Sequence, residues 1–127
     1  MMKRIVGVPL LLVIAGCASS ESTPKLVKRL NDADSGVRLN AVKILGSRTG
    51  DAAVVVPALT DRLQHDSDLY VRRDSANALG GFGPSAKSAW PALVETAQKD
   101  REPRVRKVAA AALKKIDRDA AAKDGFR

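Results

Sequence analysis

The sequence is poor in aromatic residues and contains only one cysteine. Phe, Trp and Tyr make up 3% of the 127 residues, although 45% of the chain is hydrophobic. A core must therefore be built from Ala, Val and Leu, and these residues, mixed with many charged ones, favour helices over sheets. A single cysteine excludes an intramolecular disulfide bond. One histidine and one cysteine are too few for a typical zinc site, so neither a metal nor a cofactor is predicted.

Acidic residues are also outnumbered. The chain has 22 Lys and Arg against 14 Asp and Glu, a formal net charge of +8. Such an excess attracts nucleic acid, anionic lipid or an acidic protein, but it does not choose among them, and it also serves solubility alone. The length fits one small domain.

The first 17 residues have the organisation of an export signal. A basic start, Lys3-Arg4, precedes an apolar run from Ile5 to Ile14, and the small residues Ala15 and Gly16 then precede Cys17. This order is typical of a secretory signal. The apolar run is too short for a membrane span, which needs roughly 20 residues.

The ending IAGC, at residues 14–17, resembles the lipobox of bacterial lipoproteins. The resemblance implies that residues 1–16 are a cleaved signal peptide and that Cys17 becomes a lipidated N-terminus. Residues 17–23 would then hold the lipid and a short polar tether. The protein would be exported and anchored to a bacterial membrane, on its periplasmic or cell-surface side; an ordinary signal peptide with an incidental Cys17 is the alternative.

The rest of the chain repeats itself every 34 residues, which is typical of a solenoid. The second half of each copy has apolar residues at helical spacing, as in Val37, Ala41, Ile44 and Leu45. The first half carries leucines four residues apart, so each copy predicts a pair of helices. The columns that recur at this spacing are Asp32, Asp66 and Asp100; Val37, Val71 and Val105; Arg38, Arg72 and Arg106; Leu45, Leu79 and Leu113; and Pro57 and Pro91.

Residues at the helix ends predict where the second helices begin and stop. Asp34, Asp68 and Glu102 stand where a carboxylate can cap free N–H groups, and Pro103 suits a first helical position. Gly46 and Gly80 are predicted to stop two of these helices. Lys114 takes the place of a third glycine, so the last helix is expected to run on into IDRDAAAKDG, at residues 116–125, as a terminal cap. Pro57 and Pro91 predict a bend or a start in the first helices.

The P-x-L of residues 57–59 and 91–93, together with D-x-[DE]-x-x-V-R at residues 32–38, 66–72 and 100–106, resembles HEAT repeats, particularly the short form found in phycobilisome lyases. The resemblance covers about residues 24–116 and implies an all-α fold, a short right-handed α-solenoid of about three HEAT-like helix pairs. The domain would span 24–127, with repeats at about 24–50, 51–84 and 85–116 and a charged cap at 117–127. Tetratricopeptide repeats share the period, but their signature Trp and Gly-Tyr positions are absent.

Two sets of side chains are candidates for a functional role. In HEAT proteins the Asp and Arg columns typically join one repeat to the next, so we expect a structural ladder rather than a catalytic or phosphate site. Outward positions of the second helices would line a concave, mostly basic face that binds a partner. The ladder comprises Asp32, Arg38, Asp66, Arg72, Asp100 and Arg106; the basic strip comprises Lys43, Arg73, Asn77 and Lys107.

No arrangement of a nucleophile and a base appears in the sequence. His65 is expected to be a solvated loop residue, Trp90 a packing residue, and the glycine-rich stretch at 80–85 a turn between helices. These patterns favour a non-catalytic, lipid-anchored interaction module that binds an acidic envelope protein. A bilin-lyase-like enzyme and a basic nucleic-acid-binding module are the alternatives. Neither nucleic acid nor a small-molecule substrate is expected, because stacking aromatics are few and the predicted compartment is extracytoplasmic.

Overall fold

The computed structural model describes residues 21–127, and this part of the chain is a short all-α solenoid, as predicted. It forms three helix pairs and one further short helix. Turns of 3₁₀ helix, Thr49–Asp51 and Gly83–Ala89, connect the pairs. The helices are α1 (Thr23–Arg29), α2 (Ser35–Leu45), α3 (Ala52–His65), α4 (Leu69–Gly81), α5 (Trp90–Lys99), α6 (Pro103–Ile116) and α7 (Arg118–Lys123).

The helices form two layers. The second helices pack in the order α2, α4, α6, while α1, α3 and α5 pack beside one another in the other layer. The core lies between the layers and is built on leucines that are almost fully buried. A pair on its own could not cover these side chains, so each repeat depends on its neighbour. The central leucines are Leu26, Leu45, Leu59, Leu63, Leu79, Leu93 and Leu113.

The predicted carboxylate caps form at two of the three second helices. The Asp34 side chain accepts a hydrogen bond from the Gly36 N–H at 2.7 Å, and that of Asp68 accepts from Tyr70 at 2.8 Å and Val71 at 3.2 Å. Glu102 precedes α6, but its side chain makes no cap bond, so the third prediction was wrong. Its side chain is one methylene longer than that of aspartate and does not bond the adjacent N–H groups.

Gly46 and Gly80 differ as helix stops, but both are contact points between second helices. α2 ends at Leu45, directly before Gly46, as predicted, whereas α4 continues through Gly80 to Gly81, so a stop at Gly80 was wrong. A Cβ added at Gly80 would lie 3.0 Å from both Cα and Cβ of Ala112, and one at Gly46 would lie 3.2 Å from the Cβ of Ala78. Glycine therefore lets successive second helices approach closely. The turn within residues 80–85 falls at Gly83, whose φ is +59°.

The end of the array differs from the expected continuous helix. α6 stops at Ile116, and Asp117 takes an extended conformation with φ −158° and ψ 101°. Its carboxylate accepts a hydrogen bond from the Ala120 N–H at 3.0 Å and so caps a separate helix, α7. This short helix packs on α6 and buries Ala121, while Phe126 packs against the same core.

The two prolines of the repeats occupy different places. Pro91 lies in the first turn of α5, where its missing N–H leaves no bond unmade. Pro57 lies inside α3, which begins five residues earlier at Ala52. Both positions agree with the prediction that these prolines lie inside or at the start of the first helices.

Candidate functional site

The ladder joins the first repeat to the second through Arg38. Its Nε and Nη2 donate to Oδ2 and Oδ1 of Asp66, each at 2.9 Å. Its Nη1 donates to the backbone carbonyls of Asp32 at 2.8 Å and Ala33 at 3.1 Å. The planar guanidinium thus binds the loop of its own repeat on one side and the aspartate of the next repeat on the other.

Arg72 repeats this arrangement one step further along. Its Nε and Nη2 donate to the Asp100 carboxylate at 2.9 and 3.2 Å, and its Nη1 donates to the carbonyls of Asp66 and Ser67. Asp66 also contacts Arg62, whose Nη1 lies 3.3 Å from Oδ2. Arg62 was not predicted as a ladder residue, although its spacing of four residues from Asp66, about one helical turn, indicates such a contact.

The ladder has different ends. Asp32 is exposed, and within residues 21–127 its carboxylate accepts a hydrogen bond only from the Asp34 N–H, at 2.9 Å. Arg106 is half-buried and donates through Nη1 to the Asp100 carbonyl at 2.6 Å, but its Nε and Nη2 meet no carboxylate within residues 21–127. The structure thus brings together Arg38 with Asp66 and Arg72 with Asp100, and it leaves Asp32 and Arg106 at opposite ends.

The buried rungs shift the acidity of their carboxyl groups. Burial alone raises the pKa of Asp66, but hydrogen bonds from Arg38 and from the Asp68 N–H, with the charges of Arg38 and Arg62, lower it below its ordinary value. The pKa of Asp100 is lowered in the same way, against burial, by Arg72 and the Glu102 N–H. Both groups are therefore held as carboxylates, which favours permanent ion pairs over proton transfer.

The residues of the basic strip do not all line the same cleft. Lys43 and Asn77 are exposed and line a surface cleft of about 400 Å³ between α2 and α4, together with Asp74. Lys107 is exposed on α6, outside that cleft. Arg73 is half-buried on α4, and its Nε donates to Asp74 Oδ1 at 2.9 Å. The Arg73 charge is thus partly neutralised within the strip.

Tyr70 belongs to the same surface and escaped the sequence argument. Tyr70 is 41% exposed, and the guanidinium of Arg73 lies 5.1 Å from the centroid of its ring. Arg104 Nη1 lies 3.4 Å from the Tyr70 hydroxyl. The spacing of three residues between Tyr70 and Arg73 on one helix was the available signal. An exposed tyrosine among arginines is typical of protein-binding surfaces.

The remaining single residues have ordinary surroundings. His65 is the last residue of α3 rather than a loop residue; it is exposed, and its Nδ1 lies 3.0 Å from Asp61 Oδ1. Trp90 packs partly against the core and donates through Nε1 to Asp124 at 2.9 Å. Within residues 21–127 no cluster of His, Cys, Asp and Glu side chains is arranged to hold a metal ion.

The predicted signal peptide, Cys17 and most of the tether lie outside the described residues. In the part that is described, no helix combines the length and the apolar character needed to cross a bilayer. The predictions of export and lipidation therefore rest on the sequence alone.

Comparison with known protein families identifies the repeats. The family model for HEAT repeats matches residues 10–80 and again residues 56–124, which together span most of the chain. The first match begins within the predicted signal segment, before the first described helix. A search of the curated proteins finds no match to the chain.

Proposed function

The chain belongs to the HEAT-repeat family, and on this basis we propose that it is a non-catalytic protein–protein interaction module, held at the bacterial cell envelope by a lipid on Cys17. Stacked helix pairs present their second helices side by side, so that side chains from several repeats face one partner. Here those side chains are the basic strip, with Tyr70 and Arg104 beside it.

The observation that carries this proposal is the use of the ladder. Arg38, Asp66, Arg72 and Asp100 have the best-defined charged geometry in the described part of the chain, and all four are engaged in joining repeats. Other cations, Lys43 and Lys107 among them, are exposed on helix surfaces, where they can meet an acidic partner without being rearranged. This arrangement fits a scaffold in which the buried ion pairs of the ladder join the repeats and the exposed charges bind a partner.

The anchor is supported by the sequence at residues 1–17. A lipid on Cys17 would keep the module at the membrane, because each buried methylene contributes about 0.8 kcal/mol and more than one acyl chain makes attachment durable. The short polar stretch before α1 would hold the repeats close to the bilayer, on its periplasmic or cell-surface side.

Affinity capture from an envelope extract tests the interaction role. The full-length protein is compared with a strip variant carrying Lys43→Glu, Arg73→Gln and Lys107→Glu; glutamine is used at 73 because a glutamate would be repelled by the adjacent Asp74. The matched control makes the same charge changes on the other layer and its connection, with Lys25→Glu, Lys87→Gln and Lys99→Glu. A partner retained by the control and lost by the strip variant is the expected result; equal retention by all three would move the site off the strip.

Metabolic labelling with a clickable fatty acid tests the anchor separately. The wild-type chain should incorporate the label and fractionate with membranes, and Cys17→Ser should abolish both, because serine has no thiol to alkylate. Label that survives the substitution would contradict lipidation at Cys17.

A further inference from the structure

The three ladder arginines make the same hydrogen bond to the backbone, but only two of them bind a carboxylate among the described residues. Arg38, Arg72 and Arg106 each donate through Nη1 to the backbone carbonyl six residues earlier, at 2.8, 2.9 and 2.6 Å. In the first two, Nε and Nη2 hold an aspartate of the following repeat. In Arg106 the same fork is oriented by the same bond, yet it meets no carboxylate among the described residues. The fork is thus a pre-oriented pair of hydrogen-bond donors for a carboxylate.

The two occupied forks show which carboxylate fits. Asp66 and Asp100 each also accept, through Oδ1 and at 2.9 Å, the N–H of the residue two positions later. The aspartate is therefore presented from a tight turn, which fixes its two oxygens toward the arginine. A ligand of the same chemistry is an acidic turn with an aspartate at its first position.

The surface around Arg106 is suited to such a ligand. α6 carries the cations Arg104, Arg106, Lys107, Lys114 and Lys115 and no acidic residue. We call Arg106, Lys107, Ala110 and Lys114, which lie on one side of this helix, the open edge. Ala110 is only half-buried, whereas Val42 and Ala76, its equivalents in the earlier repeats, are buried. The open edge therefore combines a positive charge with a small, partly exposed apolar centre.

A second copy of the chain offers the same carboxylate but does not fit. Asp32 is exposed and forms the same turn, with the Asp34 N–H at 2.9 Å from Oδ1, so a head-to-tail stack would bring Asp32 to Arg106. Close stacking of second helices, however, uses glycine against alanine, at Gly46 with Ala78 and at Gly80 with Ala112. In a copy-to-copy stack the corresponding pair is Lys114 against Ile44. Two large side chains at this point oppose the close approach that the internal joints require.

We propose that the open edge binds an acidic turn of a partner protein, in which an aspartate carboxylate takes Nε and Nη2 of Arg106 as the next repeat's aspartate would. This assignment rests on the proposed interaction role and names the chemistry of the partner and the point of its attachment. Lys107 and Lys114 flank the fork and favour further carboxylates on the same segment.

NMR of the Arg Nε–Hε groups in the full-length protein tests this directly. The probe is a peptide of residues 64–70 of this chain, QHDSDLY, with blocked ends, which carries the turn at Asp66; the control peptide has Asp66→Asn. The expected result is a saturable shift of the Arg106 Nε–Hε signal with the first peptide and none with the second. Absence of a saturable shift into the millimolar range would overturn the proposal.

Variants separate the fork from its charge. Arg106→Lys keeps the charge and removes the two-point fork, and we expect about tenfold weaker binding of the peptide. Arg118→Lys makes the same exchange at an exposed position of α7 and should leave the affinity unchanged. Equal weakening by both variants would show a general charge effect and overturn the assignment to Arg106.

The oligomeric state decides between the two sources of the carboxylate. The protein should remain monomeric as its concentration rises in light scattering. Assembly that Asp32→Asn abolishes would assign the site to a second copy and overturn the partner. The peptide measurement needs no natural partner, so capture at the envelope can fail while peptide binding at Arg106 succeeds, and the two proposals are tested apart.

Discussion

At the joint between the first and second repeats, Asp66 has no exposed side-chain surface and contacts two arginines, Arg38 and Arg62. At the next joint, the Asp100 side chain is 9% exposed, and Arg72 is its one ion-pair partner among residues 21–127. The backbones show the opposite order, because a Cβ at Gly80 would come within 3.0 Å of Ala112, closer than the 3.2 Å at Gly46. The first joint thus depends more on its charge network, and the second more on close helix contact.

Substitution of the ladder aspartates should give the largest difference in the free energy of unfolding between the two joints. Asp66→Ala leaves two arginines beside a buried, unpaired position and should cost about 3–5 kcal/mol in the free energy of unfolding. Asp100→Ala should cost less, about 1.5–3 kcal/mol, because it breaks charged hydrogen bonds at a partly exposed site. Urea denaturation measures both, with exposed Asp61→Ala as the control. Equal losses at Asp66 and Asp100 would contradict the ranking.

The same aspartates make stability depend on pH. Their pKa values in the folded protein lie below the unfolded value of about 3.9, so the folded state binds fewer protons. Their contribution is complete above that value and is lost as the pH falls below about 4 and through the folded pKa. Urea midpoints between about pH 7 and pH 2 should fall at the acid end for the wild type. The fall should be shallower in a variant carrying Asp66→Asn and Asp100→Asn; an unchanged slope would assign acid sensitivity to other groups.

Most of the architecture could be predicted because it repeats. The 34-residue period placed three helix pairs, and the aspartates before α2 and α4 were recognisable as caps since capping is local. The partner of each ladder arginine could not be predicted in this way, because it is distant in sequence. Arg38 and Asp66 are 28 residues apart, and they meet only because consecutive repeats stack. The role of Gly80 was misinterpreted because glycine is favoured both where a helix ends and where two helices pack closely. The break at Asp117 was not predicted, because a continuous helix was inferred from Lys114 and Asp117 was not recognised as the cap of a new helix, α7.

A methyl group at the close contact should destabilise the second joint more than the first. Gly80→Ala gains roughly 1 kcal/mol of helix propensity but collides with the backbone of Ala112, and overpacking costs about 1–3 kcal/mol. We expect a net loss of about 1 kcal/mol for Gly80→Ala, while Gly46→Ala should be near neutral. Urea midpoints measure both changes. A Gly80→Ala variant that is as stable as Gly46→Ala would contradict this ranking.

Helix α4 differs from the other second helices in a buried hydroxyl group that lowers stability. Ser75 is fully buried and its Oγ has no hydrogen-bond partner among the described residues, whereas the equivalent positions are Ala41 and Ala109. Ser75→Ala should stabilise the protein by about 1 kcal/mol, since burying an unbonded hydroxyl costs roughly 1–3 kcal/mol. Thr96→Val is the control, because Thr96 Oγ1 donates to the Ala92 carbonyl at 2.8 Å and its removal should bring no gain. Thermal unfolding compares the two; destabilisation by Ser75→Ala would show that the hydroxyl has a partner in solution.

The caps provide the finest contrast between the repeats. Asp68 holds two N–H groups of α4, so Asp68→Ala should cost about 1 kcal/mol. Glu102 holds none in α6, and Glu102→Ala should change the free energy of unfolding by only a few tenths of a kcal/mol. Glu102→Asp shortens the side chain to the length that caps α2 and α4, and it should raise stability by about 0.5–1 kcal/mol. A gain from aspartate together with a loss from alanine at 102 would show that the glutamate already caps α6 in solution. A gain from aspartate alone would make the third repeat equivalent to the second at its helix start.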